Sequence, residues 1–485
     1  MTAILARQDT LVLMPTGGGK SLCYQLPALL FDGLTLVVSP LIALMKDQVD
    51  ALQANGVAAA YLNSSQSPQE MERVQAMVRA GEIKLLYVAP ERIAQPGFRD
   101  LIAGVEISLV AIDEAHCISE WGHNFRPEYR HLCDVRSLFA TVPIIALTAT
   151  ATPQVREDIV RALALRDPRV FVSSFNRPNL HYRVRPKFNT LSALKTLLRE
   201  HAHQSTIIYC FSRKDTEALA GELTKAGFSA LPYHAGLDRD VRIRTQEQFI
   251  GDEVEIIVAT IAFGMGIDKP NVRLVVHMDM PKTLEAYYQE TGRAGRDGRP
   301  SDCILFFSLV DRRKHQYFID QIEDLQERDR CVQKLKRVID YGQTTTCRRQ
   351  FILDYFGEVY PDTSCTACDN CLPEPLASSL SSQATCLSRE RMLEEIVRGV
   401  SATGGRFGVG YICDLLHGSR NKRILENQHN HLSVHGTLRQ MPVGDIRVQL
   451  SSLIRTGHLE KIGSEYPTVR VSKLGRDLLA HTAEA

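Results

Sequence analysis

The chain has 485 residues, of which 44% are hydrophobic and 23% charged, and its formal net charge is +1. This length predicts about three domains of roughly 100–200 residues each, and this composition excludes a chain that is disordered throughout. The near-neutral charge argues against a uniformly basic nucleic-acid coat but leaves room for a local basic channel. The sequence has no apolar run near the ~18 residues of a membrane span and no signal-peptide pattern in MTAILARQDT, so we expect a cytoplasmic protein without a membrane partner.

Short apolar runs that end in polar turns recur through the first 175 residues, among them LTLVVSP, IKLLYVAPE, ISLVAIDEA and VPIIALTAT. They lack period-two alternation, which is typical of strands buried on both faces of a parallel sheet. Stretches of helical length, such as SLCYQLPALL and SPQEMERVQAMVRA, lie between them. This alternation predicts a first α/β domain over residues 1–175.

A glycine-rich loop lies between a predicted strand and a predicted helix in LVLMPTGGGKSLCYQ. Its glycines would let backbone N–H groups turn toward phosphates, Lys20 would reach the β and γ oxygens, and Ser21 would ligate Mg²⁺. The predicted nucleotide-binding residues are Thr16, Gly17, Gly18, Gly19, Lys20 and Ser21. Met14 stands where the strict pattern has glycine or alanine, so an ordinary glycine turn is the alternative.

Two carboxylates end the next buried strand, in SLVAIDEAH. Asp113 is the candidate magnesium ligand, and Glu114 is the candidate base that orients and deprotonates the attacking water. The alternative is a solvated strand end or a helix cap. The only tryptophan of the chain follows seven residues later, in a polar stretch, ISEWGHNFR, that does not resemble a core strand.

The strand pattern starts again after a link near SSFNRPNLHYRV, with STIIYCFS, SALPYHAG, EIIVATIAFG, VRLVVHMD and DCILFFS. It predicts a second α/β domain over 176–310, which contains no phosphate loop. Its sequence YYQETGRAGRDGRP supplies Gln289, Arg293 and Arg296. An arginine from an opposing domain can stabilise charge on a transferred phosphoryl group, so we expect these residues to complete the nucleotide site from across a cleft. LTATAT, with Thr148 and Thr150, would end a strand at the same cleft and link its open and closed states.

The remaining chain divides into smaller parts. Residues 311–373 are helical and charged and contain a cysteine cluster, and residues 374–388 are rich in proline and serine and predict a linker. Residues 389–485 combine helical periodicity with two β-rich runs around a turn in HLEKIGSEYPTVRVS. This combination predicts a winged helix.

The motif set MPTGGGKS, SPLIALMKDQ, YVAPER, DEAH, LTATAT, ATIAFGMGIDKP and QETGRAGRDG resembles the superfamily 2 helicases and, within them, the RecQ family of DNA helicases. The resemblance runs from the first residues to about Gly457. It implies an α/β fold of two tandem RecA-like domains, then a helical zinc-binding module and a winged-helix (RQC) domain. It also assigns Gly266 and Asp268 to the nucleotide site.

The activity that the resemblance implies is ATP-dependent unwinding of DNA, with Mg²⁺ as cofactor and 3′-to-5′ movement on single strands. Its implied roles are recombination, repair and replication, including the SOS response. Expected partners are single-stranded and forked duplex DNA, with single-strand-binding protein as a further candidate, and the expected state is a nucleoid-associated monomer. Two alternatives stay open: an RNA helicase on the same two-domain motor, and a winged-helix DNA-binding regulator with a degenerate nucleotide site.

The resemblance also explains the tryptophan. In this family the stretch after the acidic box is an aromatic-rich loop that touches single-stranded DNA and signals to the ATP site. Trp121 and Phe125 would stack on bases, worth about 1–3 kcal/mol per base, while His123 and Arg126 would link that contact to the γ-phosphate. The alternative is a tryptophan that plugs a domain interface. Glu120 and Asn124 stand where the family has glutamine and aspartate, and an added carboxylate at Glu120 would weaken phosphate contacts.

Zinc and duplex DNA are the ligands expected for the C-terminal half. Four thiolates, Cys347, Cys365, Cys368 and Cys371, match a tetrahedral structural zinc site, whereas two disulfides would not persist in a reducing cytosol. In the winged helix the expected contacts to duplex phosphates are Arg420, Lys422 and Arg423, with His417 and His435 nearby. Tyr466 in the wing turn is a candidate to support the terminal base pair.

Two expectations concern the ends of the sequence. In the family a segment before the phosphate loop reads the adenine, but here Lys20 is already the loop lysine and Gln8 lies too close to the loop for that role. We therefore expect weak ATP affinity and little preference for ATP over GTP, since base discrimination needs hydrogen bonds to the adenine edge. At the other end, we expect the additional helical nucleic-acid-binding domain of many family members to be absent.

Overall fold

The structure is a computed structural model that describes residues 1–481 except 16, 41, 65, 94, 123–124, 188, 265–268, 373–388, 440, 442 and 464–466. Its contacts divide the chain into two compact units, Met1–Glu374 and Pro375–Ala485. None of the helices in the described part is long and apolar enough to cross a bilayer. The predicted linker, 374–388, lies outside the described residues.

Seven parallel strands build the first sheet of the larger unit, as far as the described residues define it. They are β1 (Thr10–Leu13), β2 (Leu34–Val38), β3 (Ala59–Leu62), β4 (Leu85–Val88), β5 (Ile107–Ile112), β6 (Ile144–Thr148) and β7 (Arg169–Val172). Their order is β3-β4-β2-β5-β6-β1-β7. Every residue of β1, β2 and β6 is buried, as the continuous apolar runs predict. Because β6 lies between β5 and β1, the turns after these three strands meet at one edge of the sheet.

Helices accompany this sheet throughout the described part of residues 1–175. They are α1 (Thr2–Leu5), α2 (Leu22–Leu30), α3 (Ile42–Ala54), α4 (Pro68–Arg79), α5 (Pro90–Ile93), α6 (Pro96–Ile102), α7 (Val135–Leu138) and α8 (Pro153–Ala162), with 3₁₀ turns at Ala115–Ile118 and Pro127–Asp134. Local sequence explains where several begin. Ser67 and Glu70 form a reciprocal capping box at the start of α4, and Thr152 accepts a hydrogen bond from Val155 N–H to start α8.

The second sheet is also parallel, and its strands in the described residues are β8 (Leu180–Pro186), β9 (Ser205–Tyr209), β10 (Ala230–Tyr233), β11 (Ile256–Ala259), β12 (Val272–His277) and β13 (Ser301–Phe307), in the order β10-β11-β9-β12-β13-β8. The helices are α9 (Thr190–Glu200), α10 (Arg213–Lys225), α11 (Arg239–Ile250) and α12 (Leu284–Thr291). The sequence interpretation treated LHYRV as part of a link, and this was wrong. Residues 180–186 form edge strand β8, which pairs with β13 along its whole length.

Helices α13 (Asp311–Ile319), α14 (Leu325–Gln343) and α15 (Arg348–Tyr355) complete the larger unit. One hydrophobic core includes residues of both sheets together with α14 and α15. Where the chain passes from the first sheet to the second, the Phe175 ring stacks on Phe356 with centroids 4.7 Å apart. Helices α14 and α15 are therefore packed into the core that the two sheets share.

The smaller unit has its own core, centred on Ile396, Ile412 and Leu450. Its elements are α16 (Arg389–Ala402), α17 (Val409–His417), α18 (Lys422–Glu426), α19 (Val443–Arg455), β14 (Leu459–Ile462), β15 (Thr468–Val471) and α20 (Lys473–His481). The two strands are antiparallel. Helices followed by a hairpin confirm the predicted winged-helix class.

Candidate nucleotide and nucleic-acid site

The glycine-rich loop follows β1 and leads into α2. Gly17 and Gly19 both adopt φ of +81°, a left-handed conformation that glycine reaches without strain. A Cβ at Gly18 would lie 3.0 Å from the Pro15 carbonyl oxygen. The Lys20 ammonium donates to the carbonyl oxygens of Met14 and Pro15, at 3.2 and 3.3 Å. The Lys20 side chain therefore reaches back to the residues that follow β1, as far as the described residues show.

The acidic pair follows β5, two strands from β1 in the sheet. The Asp113 carboxylate accepts a 2.9 Å hydrogen bond from the Glu114 N–H, and Glu114 adopts φ of +47°. Positive φ at a residue with a side chain is uncommon and clusters at functional sites. The backbone thereby turns sharply straight after the strand, so that consecutive carboxylates stand at its end.

Lysine and carboxylates influence one another electrostatically. Burial lowers the pKa of Lys20, and the charges of Glu114 and Asp113 oppose that shift. Burial, and after it the charge of Glu114, raise the pKa of Asp113 to about 7. Two carboxylates held close together favour a nearby cation. One ammonium and two carboxylates therefore lie close together at this edge of the sheet.

His116 is a candidate site residue that the sequence interpretation missed. Its Nδ1 lies 2.8 Å from the Thr148 hydroxyl and 3.2 Å from the Glu114 carboxylate. Burial alone would lower the pKa of the ring, but Cys117 and Glu114 raise it to about 10. The ring joins the acidic pair to the end of β6. The sequence signal that could have identified it is its place as the last residue of the motif DEAH, directly after the acidic pair and Ala115.

A loop of the second sheet contacts the glycine-rich loop. A Cβ at Gly17 would lie 3.6 Å from Cδ of Arg296, so the Arg296 side chain packs against the glycine-rich loop. Arg293 lies differently, because its guanidinium donates to the Gly264 carbonyl oxygen of its own domain. The two candidate arginines therefore have distinct surroundings, which their spacing in the sequence does not reveal.

Gln289 makes a direct connection between the sheets. Its side-chain amide donates a 2.9 Å hydrogen bond to the Thr150 hydroxyl. Arg177, which the sequence interpretation did not single out, supports the arginine loop by donating to the carbonyl oxygens of Gly292, Ala294 and Gly295.

The aromatic-rich loop, residues 119–126, lies beside the acidic pair. Trp121 is partly buried and packs against the main core, so one part of the ring is shielded. The Arg126 guanidinium donates to the Pro40 carbonyl oxygen at 2.9 Å, and Phe125 is partly buried. At the base of the loop, the Tyr129 hydroxyl donates to the Asp113 carbonyl oxygen at 2.9 Å.

The four predicted zinc ligands come together beside α15. The sulfurs of Cys347, Cys365, Cys368 and Cys371 all lie within 4.8 Å of one another. Tetrahedral zinc with bonds of about 2.3 Å needs sulfurs about 3.8 Å apart, so the set fits the ion. Backbone N–H groups of Arg348 and Gln350 donate to two of these sulfurs at 3.5 Å, as is typical of the shell around a metal site.

In the smaller unit the predicted DNA contacts are exposed. Arg420 is exposed, Lys422 pairs with Glu426 at 3.8 Å, and the Arg423 guanidinium lies 5.9 Å from the Tyr411 ring centroid. His417 and His435 instead contact backbone carbonyl oxygens, of Met441 and Ser419, at 3.0 Å. Some predicted residues lie outside the described part of the chain: Thr16, His123, Asn124, Gly266, Asp268 and Tyr466.

Four family models match the chain in succession. They are the DEAD/DEAH box helicase model over 1–159, the helicase conserved C-terminal domain over 189–298, the RecQ zinc-binding model over 309–372 and the RQC domain over 391–485. The matched zinc-binding model and the cysteine cluster agree on Zn²⁺.

Solved structures share the fold of much of the chain at low sequence identity. The DUF1998 helicase MrfA bound to DNA has a TM-score of 0.55 at 18% identity, over 73% of this chain and 54% of that one. Dbp5 from S. cerevisiae, bound to RNA and ADP BeF3, has a TM-score of 0.50 at 17% identity, over 68% and 89%. These similarities support the two-domain helicase fold.

Whole-chain relatives are much closer in sequence. The chain is 44% identical over 479 residues to ATP-dependent DNA helicase RecQ of Pasteurella multocida, covering 98% of this chain and 74% of that protein. It is 43% identical over 476 residues to the protein of the same name from Bacillus subtilis, covering 98% and 79%. With the fold, the cleft and the cysteine cluster in agreement, the chain belongs to the RecQ family of ATP-dependent DNA helicases.

Proposed function

We propose that this helicase hydrolyses ATP in the cleft between its two sheets and uses the cycle to move 3′ to 5′ along single-stranded DNA. The observation that carries the proposal is the contact of Arg296 with Gly17. A phosphate held by the glycine-rich loop would meet that guanidinium directly. Positive charge delivered from the opposing domain stabilises the phosphoryl-transfer transition state, so hydrolysis depends on closure of the cleft.

Each group at the cleft has a proposed role. Lys20 and the N–H groups of Gly17–Gly19 bind the phosphates, and Glu114 orients and deprotonates the attacking water. The Ser21 hydroxyl and the Asp113 carboxylate are the proposed ligands of Mg²⁺, since hard oxygen donors suit that ion. When bound, Mg²⁺ neutralises charge on the phosphate oxygens.

The nucleic-acid side is proposed from the neighbouring loop. Trp121 and Phe125 would stack on bases irrespective of sequence, and Arg126 would transmit that contact toward the acidic pair. In the smaller unit, Arg420, Lys422 and Arg423 are the proposed phosphate contacts of the duplex ahead of the fork. Single-strand-binding protein as a partner, a monomeric state and association with the nucleoid are also part of the proposal. The proposal also divides the chain into five functional segments, residues 1–175, 176–310, 311–373, 374–388 and 389–485.

The test is a pair of assays on the intact chain. ATP hydrolysis is measured alone, with single-stranded DNA and with single-stranded RNA, and unwinding is measured on 3′-tailed, 5′-tailed and forked duplexes. Stimulation by DNA with unwinding of 3′-tailed and forked substrates is the expected result. Stimulation by RNA alone, or unwinding from a 5′ tail alone, would contradict the proposal.

The variant Trp121→Ala tests the loop. It should keep DNA-independent hydrolysis and lose most DNA stimulation and all unwinding, because the proposed role of the indole is to stack on bases and not to hold the phosphates of ATP. If the variant instead loses several kcal/mol of unfolding free energy, the tryptophan acts as an interface plug.

A further inference from the structure

The aromatic-rich loop is in contact with helix α14 of the zinc-binding module. The Arg330 guanidinium is paired with the Glu120 carboxylate and lies 5.6 Å from the centroid of the Trp121 ring. One turn along, the Lys334 ammonium donates a 2.8 Å hydrogen bond to the Gly122 carbonyl oxygen. Two cations four residues apart thus engage three consecutive residues of the loop.

These contacts hold a part of the loop that is itself fixed to the catalytic side. A Cβ at Gly122 would lie only 2.3 Å from the His116 carbonyl oxygen, so the Gly122 backbone packs directly on the turn after the acidic pair. The His116 ring in turn contacts Thr148 and Glu114. The loop therefore connects α14 with the residues that surround the candidate base.

Arg330 lies near the Trp121 ring, on which a DNA base would stack in the proposed function. A base that stacks on Trp121 competes with the guanidinium near the ring, and a phosphate close by competes with the Glu120 carboxylate for the same cation. Arg330 is buried, whereas 41% of the Glu120 side chain is exposed. An ion pair with one partly exposed partner can exchange that partner for a phosphate without stranding a buried charge.

We propose that Arg330 and Lys334 are positioning residues, which hold the aromatic-rich loop on the zinc-binding module until single-stranded DNA displaces it. The Glu120–Arg330 pair then sets how much DNA binding is needed to start hydrolysis. This inference rests on the proposed function, because it concerns the same DNA-sensing loop. It makes the zinc-binding module part of the sensor as well as a structural support.

The experiment uses the single tryptophan as a probe, since all intrinsic tryptophan fluorescence of the chain comes from Trp121. Glu120→Gln and Arg330→Met are compared with the wild type and with Lys336→Met, a control at an exposed position of the same helix. For each protein we would measure the emission spectrum, oligo(dT) affinity from the emission change, and ATP hydrolysis with and without oligo(dT).

Glu120→Gln and Arg330→Met should both shift the emission of the DNA-free protein and raise DNA-independent hydrolysis at least threefold. Glu120→Gln should also bind oligo(dT) more tightly, because the competing carboxylate charge is gone. The control should match the wild type in all three measurements.

Unchanged emission and unchanged DNA-independent hydrolysis in Glu120→Gln would overturn the inference, as would weaker oligo(dT) binding by that variant. If Arg330→Met fails to fold, Glu120→Gln alone tests the inference, because glutamine has nearly the same size as glutamate. A wild type that DNA does not stimulate at all would contradict the proposed function instead.

Discussion

The Gln289 amide donates a 2.9 Å hydrogen bond to the Thr150 hydroxyl, and this bond joins the second sheet's arginine-bearing segment to the first sheet's β6 edge. Thr150 lies two residues beyond Thr148, whose hydroxyl contacts His116. A short polar path therefore runs from the arginine loop through the end of β6 to the acidic pair. Closure of the cleft and arrangement of the candidate base are physically connected along it.

The first prediction tests this connection by a double-mutant cycle. Gln289→Ala and Thr150→Val should each lower DNA-stimulated hydrolysis about fivefold, since a hydrogen bond of this kind contributes about 1 kcal/mol. The double variant should be no worse than either single one, because both remove the same bond. Fully multiplicative losses in the steady-state rates would show that the two side chains act independently.

The second prediction separates the two arginines. Arg296→Ala should lower kcat for ATP on the order of 10³-fold, because its side chain packs on the glycine-rich loop, where the phosphates are proposed to bind. The thermal stability of this variant should stay nearly unchanged. Arg293→Ala should also lower the melting temperature, since it removes the donor to the Gly264 carbonyl oxygen. Steady-state kinetics with calorimetry on both variants measures this, and an Arg296→Ala enzyme with normal kcat would exclude the proposed role.

The third prediction concerns Gly122. In Gly122→Ala the new methyl group would meet the His116 carbonyl oxygen at 2.3 Å, so the loop must move away from the turn beside the acidic pair. We expect DNA stimulation of hydrolysis to fall at least tenfold while DNA-independent hydrolysis persists. Gly97→Ala is the matched control, because nothing lies within 4 Å of its added Cβ. Equal DNA stimulation in the two variants would contradict this account.

The fourth prediction concerns the metal. Cys368→Ser should lose bound zinc and expose residues 311–372 to protease, because a four-cysteine site contributes folding free energy directly. Cys133→Ser, at an exposed cysteine outside the cluster, should keep about one zinc per chain. The readouts are metal analysis and limited proteolysis with mass spectrometry. Wild-type protein with much less than one zinc per chain would contradict the assignment of this cluster.

Motifs whose chemistry is local are recognisable in the sequence alone. The glycine-rich loop, the acidic pair and three of the four clustered cysteines each lie within a few residues of sequence, so spacing and residue type identify them. Strands buried on both faces were equally clear, because they need unbroken apolar runs. Edge strand β8 was missed for the opposite reason, since its burial along the chain is mixed and its sequence resembles a link.

The sequence by itself determined the family motifs and the candidate residues for phosphate, metal and bases, because these depend on side chains and short backbone turns. Only the tertiary structure decided how they are connected, because Gln289 and Thr150 are 139 residues apart and Arg330 and Glu120 are 210 apart. A lone arginine on a charged helix carries no signal of its partner. Its role depends on which surface the packing of that helix brings against it, and here that surface is the loop around the single tryptophan.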